Sequence, residues 1–168
     1  MLSARTPLSS NPAGQRGSFL IEALIGILIF SLGILALVGM QAAAISAQSD
    51  ARYRTEASNL AQQMVNTMWL NVDRTNTATL QASLVGFQHQ TTGSSCNFSG
   101  ATSGDALVAD WLTSVTEAGS GLPGATASMQ QISVNTAAGA YNRVTITLCW
   151  LPPRAATPNR HTVVTYVN

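Results

Sequence analysis

The chain has 168 residues, 46% hydrophobic and 9% charged, which is material for one modest domain plus an unusually apolar segment. Eight arginines stand against seven acids with no lysine, a formal charge of +1, so there is no basic field of the kind that gathers phosphate backbones. That balance argues against nucleic acid as the main partner.

Residues 1–17 carry Arg5 and Arg16, no acid, Pro7, Pro12, Gly14 and several hydroxyl side chains, and read as a leader peptide. Over 19–45 the only ionisable side chain is Glu22. A run of that length is ample to cross ~30 Å of hydrocarbon as a helix. A secretory signal would instead carry a short apolar core with a small-residue cleavage site on its far side. The expected organisation is a leader over 1–17, a transmembrane helix over 18–45 and a globular domain over 46–168.

Residues 46–73 hold neither proline nor glycine, which favours uninterrupted helix. Tyr53, Ala57, Leu60, Ala61, Met64, Val65, Met68 and Val72 recur at steps of three and four, with polar residues on the other faces. Together with the apolar run this predicts one helix of roughly 80 Å, half in lipid and half amphipathic. Residues 74–104 are rich in Thr, Ser, Asn, Gln and Gly and predict loop with one short helix, anchored by Leu80, Leu84, Val85 and Phe87. Over 105–118, Leu107, Val108, Trp111, Leu112 and Val115 restore the helical period, and Gly119, Gly121, Pro123 and Gly124 stop it.

The last third changes period to two, predicting strands over 131–136, 143–150 and 161–167. Gly139 suits a hairpin between the first two, and Pro152, Pro153 and Pro158 a longer connection to the third. The fold class expected is α+β: a long N-terminal helix packed on a small C-terminal antiparallel sheet.

Cys96 and Cys149 both lie in the half that a membrane anchor would export, and an even count there reads as one disulfide in an oxidising compartment. A reduced pair of core thiols is the alternative. His89 and His161 are far apart with no cluster of acids or cysteines at metal-ligand spacing, and are expected at the surface, with no metal or cofactor. Trp69, Trp111 and Trp150 are expected in the core. No Cys-x-x-Cys, nucleophile elbow or phosphate-cradling loop occurs, so an enzyme is not expected.

The informative string is Gly17-Ser18-Phe19-Leu20-Ile21-Glu22, followed at once by the apolar helix. It resembles the class III signal sequence of type IV pilins and pseudopilins. The resemblance implies cleavage after Gly17 by a membrane-bound prepilin peptidase and N-methylation of the new amine on Ser18. It further implies an assembly role for Glu22, whose partner would be the amino terminus of a neighbouring subunit. Pairing of Glu22 with its own Ser18 amine, or with the helix dipole, is the alternative. Two departures from the commonest pattern stand out: Ser18 in place of phenylalanine, and no proline in the apolar helix, so that flexibility falls to Gly26, Gly33 and Gly39.

The run over 25–41 and the segment from Asp110-Trp111-Leu112 to Gly121-Leu122-Pro123-Gly124 are similar to the type IV pilus modification family, the PilV-like minor pilins. That likeness implies other major and minor pilins and the inner-membrane assembly platform as partners. It also implies inner-membrane residence with the domain in the periplasm before assembly, the pilus afterwards, and roles in assembly, adhesion or twitching motility. A type II secretion pseudopilin shares the processing signal and is the nearest rival. A DNA-uptake minor pilin would want clustered basic residues, and a calcium-stabilised pseudopilin clustered acids, whereas Asp105, Asp110 and Glu117 are spread along a predicted helix.

Overall fold

The computed structural model describes residues 16–153 and 155–168. Most of the expected leader, residues 1–15, lies outside the described residues. The first element is a single helix, α1, Arg16–Asn71, whose 56 residues rise about 84 Å. The chain divides into two compact units at Ala47 and Gln48.

In the first unit every side chain from Ser18 onward is exposed. The helix is long and apolar enough there to cross a membrane, and none of its apolar window is buried within the chain. Among the described residues nothing covers Phe19, Leu24, Ile29, Phe30 or Leu35.

The second unit is an α+β domain. Ala57, Leu60, Ala61, Met64, Val65, Met68 and Val72 are all buried, with Tyr53 partly buried against them, so the stripe read from the spacing is the helical side of the core. After α1 the Asp73 carboxylate accepts from the N–H (2.8 Å) and the hydroxyl (2.6 Å) of Thr75, turning the chain. Those bonds, the hydroxyl's first, hold the Asp73 carboxyl below the usual aspartate range. Helix α2, Thr77–Gly86, starts on a capping box in which Asn76 accepts from the Thr79 N–H and Thr79 accepts from the Asn76 N–H. It buries Leu80 and Leu84, Phe87 is buried just beyond it, and Val85 stays on the surface.

Residues 74–104 hold more than the loop and helix expected: β1, Thr92–Ser94, and β2, Asn97–Ser99, pair antiparallel, with Ser94 opposite Asn97. Helix α3, Ala106–Thr116, follows, capped by the Asp105 carboxylate on the Leu107 N–H at 2.8 Å. A single 3-10 turn, Ala127–Met129, leads into the sheet.

The sheet is an antiparallel meander in the order β3 (Gln131–Asn135), β4 (Arg143–Trp150), β5 (Asn159–Tyr166). Its third strand starts two residues earlier than the period suggested. Val144, Ile146, Leu148 and Trp150 of β4 join the core with the α1 stripe, and Trp111 of α3 completes it by donating its ring N–H to the Leu60 carbonyl at 2.8 Å. Thr147 and Cys149, on the opposite face of β4, are also buried, and Cys149 clusters with Cys96 and Phe98 of the β1–β2 hairpin and with Met129. One strand is therefore covered on both faces at its C-terminal end.

Gln130 stands where β3 has not yet begun, and its side chain substitutes for a strand. Its amide donates to the Cys149 carbonyl (2.9 Å) and accepts from the Cys149 N–H (3.1 Å).

The stop after α3 depends on close approach at Gly121, whose added Cβ would stand 2.5 Å from the Val115 carbonyl oxygen and 2.8 Å from that of Ser114. Those contacts are backbone, so they cannot swing away. Gly121→Ala is expected to lower stability by about 1–3 kcal/mol, measured by chemical denaturation of the detergent-solubilised chain, whereas Gly104→Ala, with open space around it, should stay within ~0.5 kcal/mol.

Candidate functional site

The candidate site is the start of α1. Because the helix begins at Arg16, the Gly17–Ser18 peptide bond lies in its first turn. The first four N–H groups of a helix have no intrahelical partner, and glycine weakens a helix by ~1 kcal/mol relative to alanine. This turn is thus easily opened. Glycine also leaves the backbone accessible to a protease's catalytic groups.

Ser18 and Glu22 are four residues apart on this helix, hence on one face and about 6 Å apart along the axis. An amine released at Ser18 would stand one turn from the Glu22 carboxylate. Glu22 is surrounded in sequence by exposed apolar side chains, Phe19, Leu20, Ile21, Leu24 and Ile25. A carboxylate at the centre of a bilayer costs ~2.5–3.5 kcal/mol on insertion scales and less near the interface, so an acid inside a spanning helix would still call for a cation. An added Cβ at Gly26, Gly33 or Gly39 would meet nothing within 4 Å, so these glycines serve no packing contact inside the chain.

The second predicted feature, the Cys96–Cys149 disulfide, is present, with a Cα–Cα distance of 5.7 Å and a sequence separation of 53. It fastens the tip of the β1–β2 hairpin to β4. The hairpin's two-residue loop is Ser95-Cys96, and both have positive φ (53° and 66°), as a tight primed turn requires. Such turns favour asparagine and glycine. Two side-chain-bearing residues held there are strained by about 1 kcal/mol or more each, and the bond to β4 helps hold them.

Two expectations are corrected. His89 is not at the surface: it is 1% exposed, its backbone bridges to Ile132 in both directions, and its ring links two further segments. The Ser103 N–H donates to His89 Nδ1 at 3.2 Å, which leaves Nε2 to donate to the Ala127 carbonyl at 3.0 Å. It acts as a structural tie. Trp69 is not in the core: it is 41% exposed at the end of α1, with Leu70 beside it in sequence fully open. Arg74 stacks 5.1 Å from the Trp69 ring centroid and donates to the Trp69 carbonyl at 2.8 Å. Trp111 and Trp150 are core residues as expected.

A cavity of about 400 Å³ lies between Arg52, Tyr53 and Glu56 of α1 and the segment 116–125. Its charged groups, Arg52, Glu56 and Glu117, form no nucleophile–base pair. Among the described residues no group of three or more His, Cys, Asp or Glu side chains could hold a metal ion.

No family model, no curated protein and no solved structure matches the chain.

Closing a loop of 53 residues removes about 4 kcal/mol of unfolded-state freedom in the chain-entropy account. The double substitution Cys96→Ser with Cys149→Ser is expected to lower stability by about that amount, read from denaturant midpoints. Proteolysis should then nick the chain first within residues 90–102, because the hairpin loses its fastening.

Proposed function

We propose that the chain is a prepilin-like minor subunit of a bacterial type IV pilus, anchored in the inner membrane by residues 18–45 and polymerised through that same helix. The observation that carries this reading is the combination at one end of α1: Gly17-Ser18, one acid at Glu22, and a long apolar surface that the protein itself leaves uncovered. A uniformly apolar anchor needs no Glu22. A helix that must find neighbours and stop in a fixed axial register has use for one charge placed one turn from a free amine.

In this reading the peptidase opens the first turn and hydrolyses the Gly17–Ser18 bond on the cytoplasmic side. The Ser18 amine is then methylated. It stays cationic after methylation, so the charge available to Glu22 is kept while the amine gains an apolar group. Within the filament the Glu22 carboxylate of one subunit pairs with the Ser18 amine of a neighbour, offsetting the desolvation of both, and apolar packing supplies the rest. The periplasmic domain is fastened by its own disulfide. The partners are the prepilin peptidase/N-methyltransferase, other pilins and the assembly platform. The resemblance around Asp110-Trp111-Leu112 and Gly121-Leu122-Pro123-Gly124 favours a pilus over a secretion pseudopilus, and Trp111 and Gly121 also serve as core anchor and helix stop.

Intact-mass analysis from cells with an active prepilin peptidase should give a species starting at Ser18 and carrying one extra methyl group. A chain retaining residues 1–17 in such cells would refute the processing step. Glu22→Ala should be cleaved normally yet enter sheared pili at least about tenfold less, since an unpaired amine within the bilayer opposes docking. Normal incorporation of that variant would remove the assembly role.

A further inference from the structure

The two edges of the sheet are treated differently. On β3 the outward groups are occupied: the Ile132 N–H and carbonyl bond to His89, and the Val134 carbonyl accepts from the Gln88 side chain at 3.1 Å. On β5 no strand of the described residues pairs with the far side.

Which backbone groups face that open edge follows from the register. The Val167 N–H donates to the Asn142 carbonyl at 3.3 Å, so the residues in step with Val167, namely 165, 163, 161 and 159, direct their backbone groups at β4. Arg160, Thr162, Val164 and Tyr166 direct theirs away from it. Their side chains lie on the exposed face of the strand.

Natural sheets blunt such an edge with charged side chains, lysine above all, with proline, a bulge or a very short strand. Of these β5 has a single charge: eight consecutive residues pair with β4 without a bulge, and between Asn159 and Tyr166 there is no proline or lysine. Val164, Tyr166 and nearby Tyr141 are at least half exposed. Arg160 carries the strand's one formal charge.

We propose that the free edge of β5 is a strand-addition site for an extended segment of a different polypeptide, one that sets a carboxylate beside Arg160 and a large apolar side chain, four positions away, beside Val164. A second copy of this chain fits poorly. β5 itself holds no aspartate or glutamate, so antiparallel β5–β5 pairing in any register offers Arg160 no carboxylate from the facing strand. Parallel in-register pairing sets Arg160 beside Arg160, and like charges on neighbouring strands repel. A foreign strand with an acid meets neither obstacle.

The test uses the full chain in detergent micelles and three labelled synthetic strand peptides, read by fluorescence anisotropy. One carries a glutamate and an isoleucine four positions apart, the second has lysine in place of the glutamate, and the third copies residues 159–166. The glutamate peptide should bind roughly fivefold more tightly than the lysine peptide, and Arg160→Ser should erase that preference. Val164→Pro should abolish binding, because it removes an outward N–H that β4 does not use. Val164→Lys, which blunts the edge without a backbone change, should weaken binding as well, and each variant is checked for the native unfolding transition. Failure of the glutamate peptide to bind, or binding unaffected by both Val164 substitutions, would overturn the proposal. Tightest binding by the 159–166 peptide would overturn it too, reassigning the edge to a second copy.

Discussion

The stripe formed by Ala57, Leu60, Ala61, Met64, Val65, Met68 and Val72 has to be kept from water, and the second unit is built around that requirement. A helix of this length buries nothing by itself. β4 supplies the facing surface with Val144, Ile146, Leu148 and Trp150, while α3 supplies Val108, Trp111 and Val115. Burial of each large side chain contributes about 1.5–3 kcal/mol relative to exposure, so the stripe and its partners outweigh any capping bond in the domain. The same helix, upstream of residue 48, presents apolar side chains with no covering at all. One continuous backbone therefore serves two environments, and only the side-chain pattern marks the change.

Covering one face of the sheet with α1 leaves the problem of the other, which the chain solves without a second layer of helices. The hairpin of β1 and β2 is too short to hold itself in place, since two three-residue strands are at best marginally stable in water. The disulfide to Cys149, the bridge at His89 and the amide of Gln130 bind it and the 3-10 turn to the sheet. These ties replace apolar area that a small domain lacks. His89 and Gln130 are polar side chains in a dry place, and each ring or amide atom with a partner there has a backbone group at hydrogen-bond distance.

What was legible in the sequence is what depends on period and composition. The α1 stripe, the three strands and the stops at Gly121 and Pro123 were readable because each repeats over many residues or uses a residue with a fixed backbone preference. The hairpin was not readable: its turn is Ser95-Cys96, where positive φ is held by a distant disulfide and not announced by asparagine or glycine. The burial of His89 is not legible either, because its partners, Ser103, Ala127 and Ile132, are remote in sequence. Trp69 could have been placed correctly from the helical period, which puts it just past the flank marked by Val65. The general tendency of tryptophan to be buried points the other way. At the candidate site, residue type carries nearly all the information, because Gly17, Ser18 and Glu22 lie in a helix whose interior contacts are too few to mark them.

The two ends of the chain's logic differ in how they can fail. An apolar helix with one acid tolerates many changes of side chain in a membrane, since lipid and neighbouring helices accept any well-sized apolar group, and on the function proposed above only Glu22 imposes position. The domain is the reverse: its sheet has one edge closed by specific bonds at Gln88 and His89 and one left open at β5, and its small core leaves little stability to spare. On the function proposed above, a subunit shares its packing helix with the other subunits of a filament, so whatever distinguishes it from them would be carried by the domain. Among the described residues, the surface of that domain with unoccupied backbone groups in a regular row is the β5 edge, and that is where the proposed selectivity for a neighbour would have the most to work with.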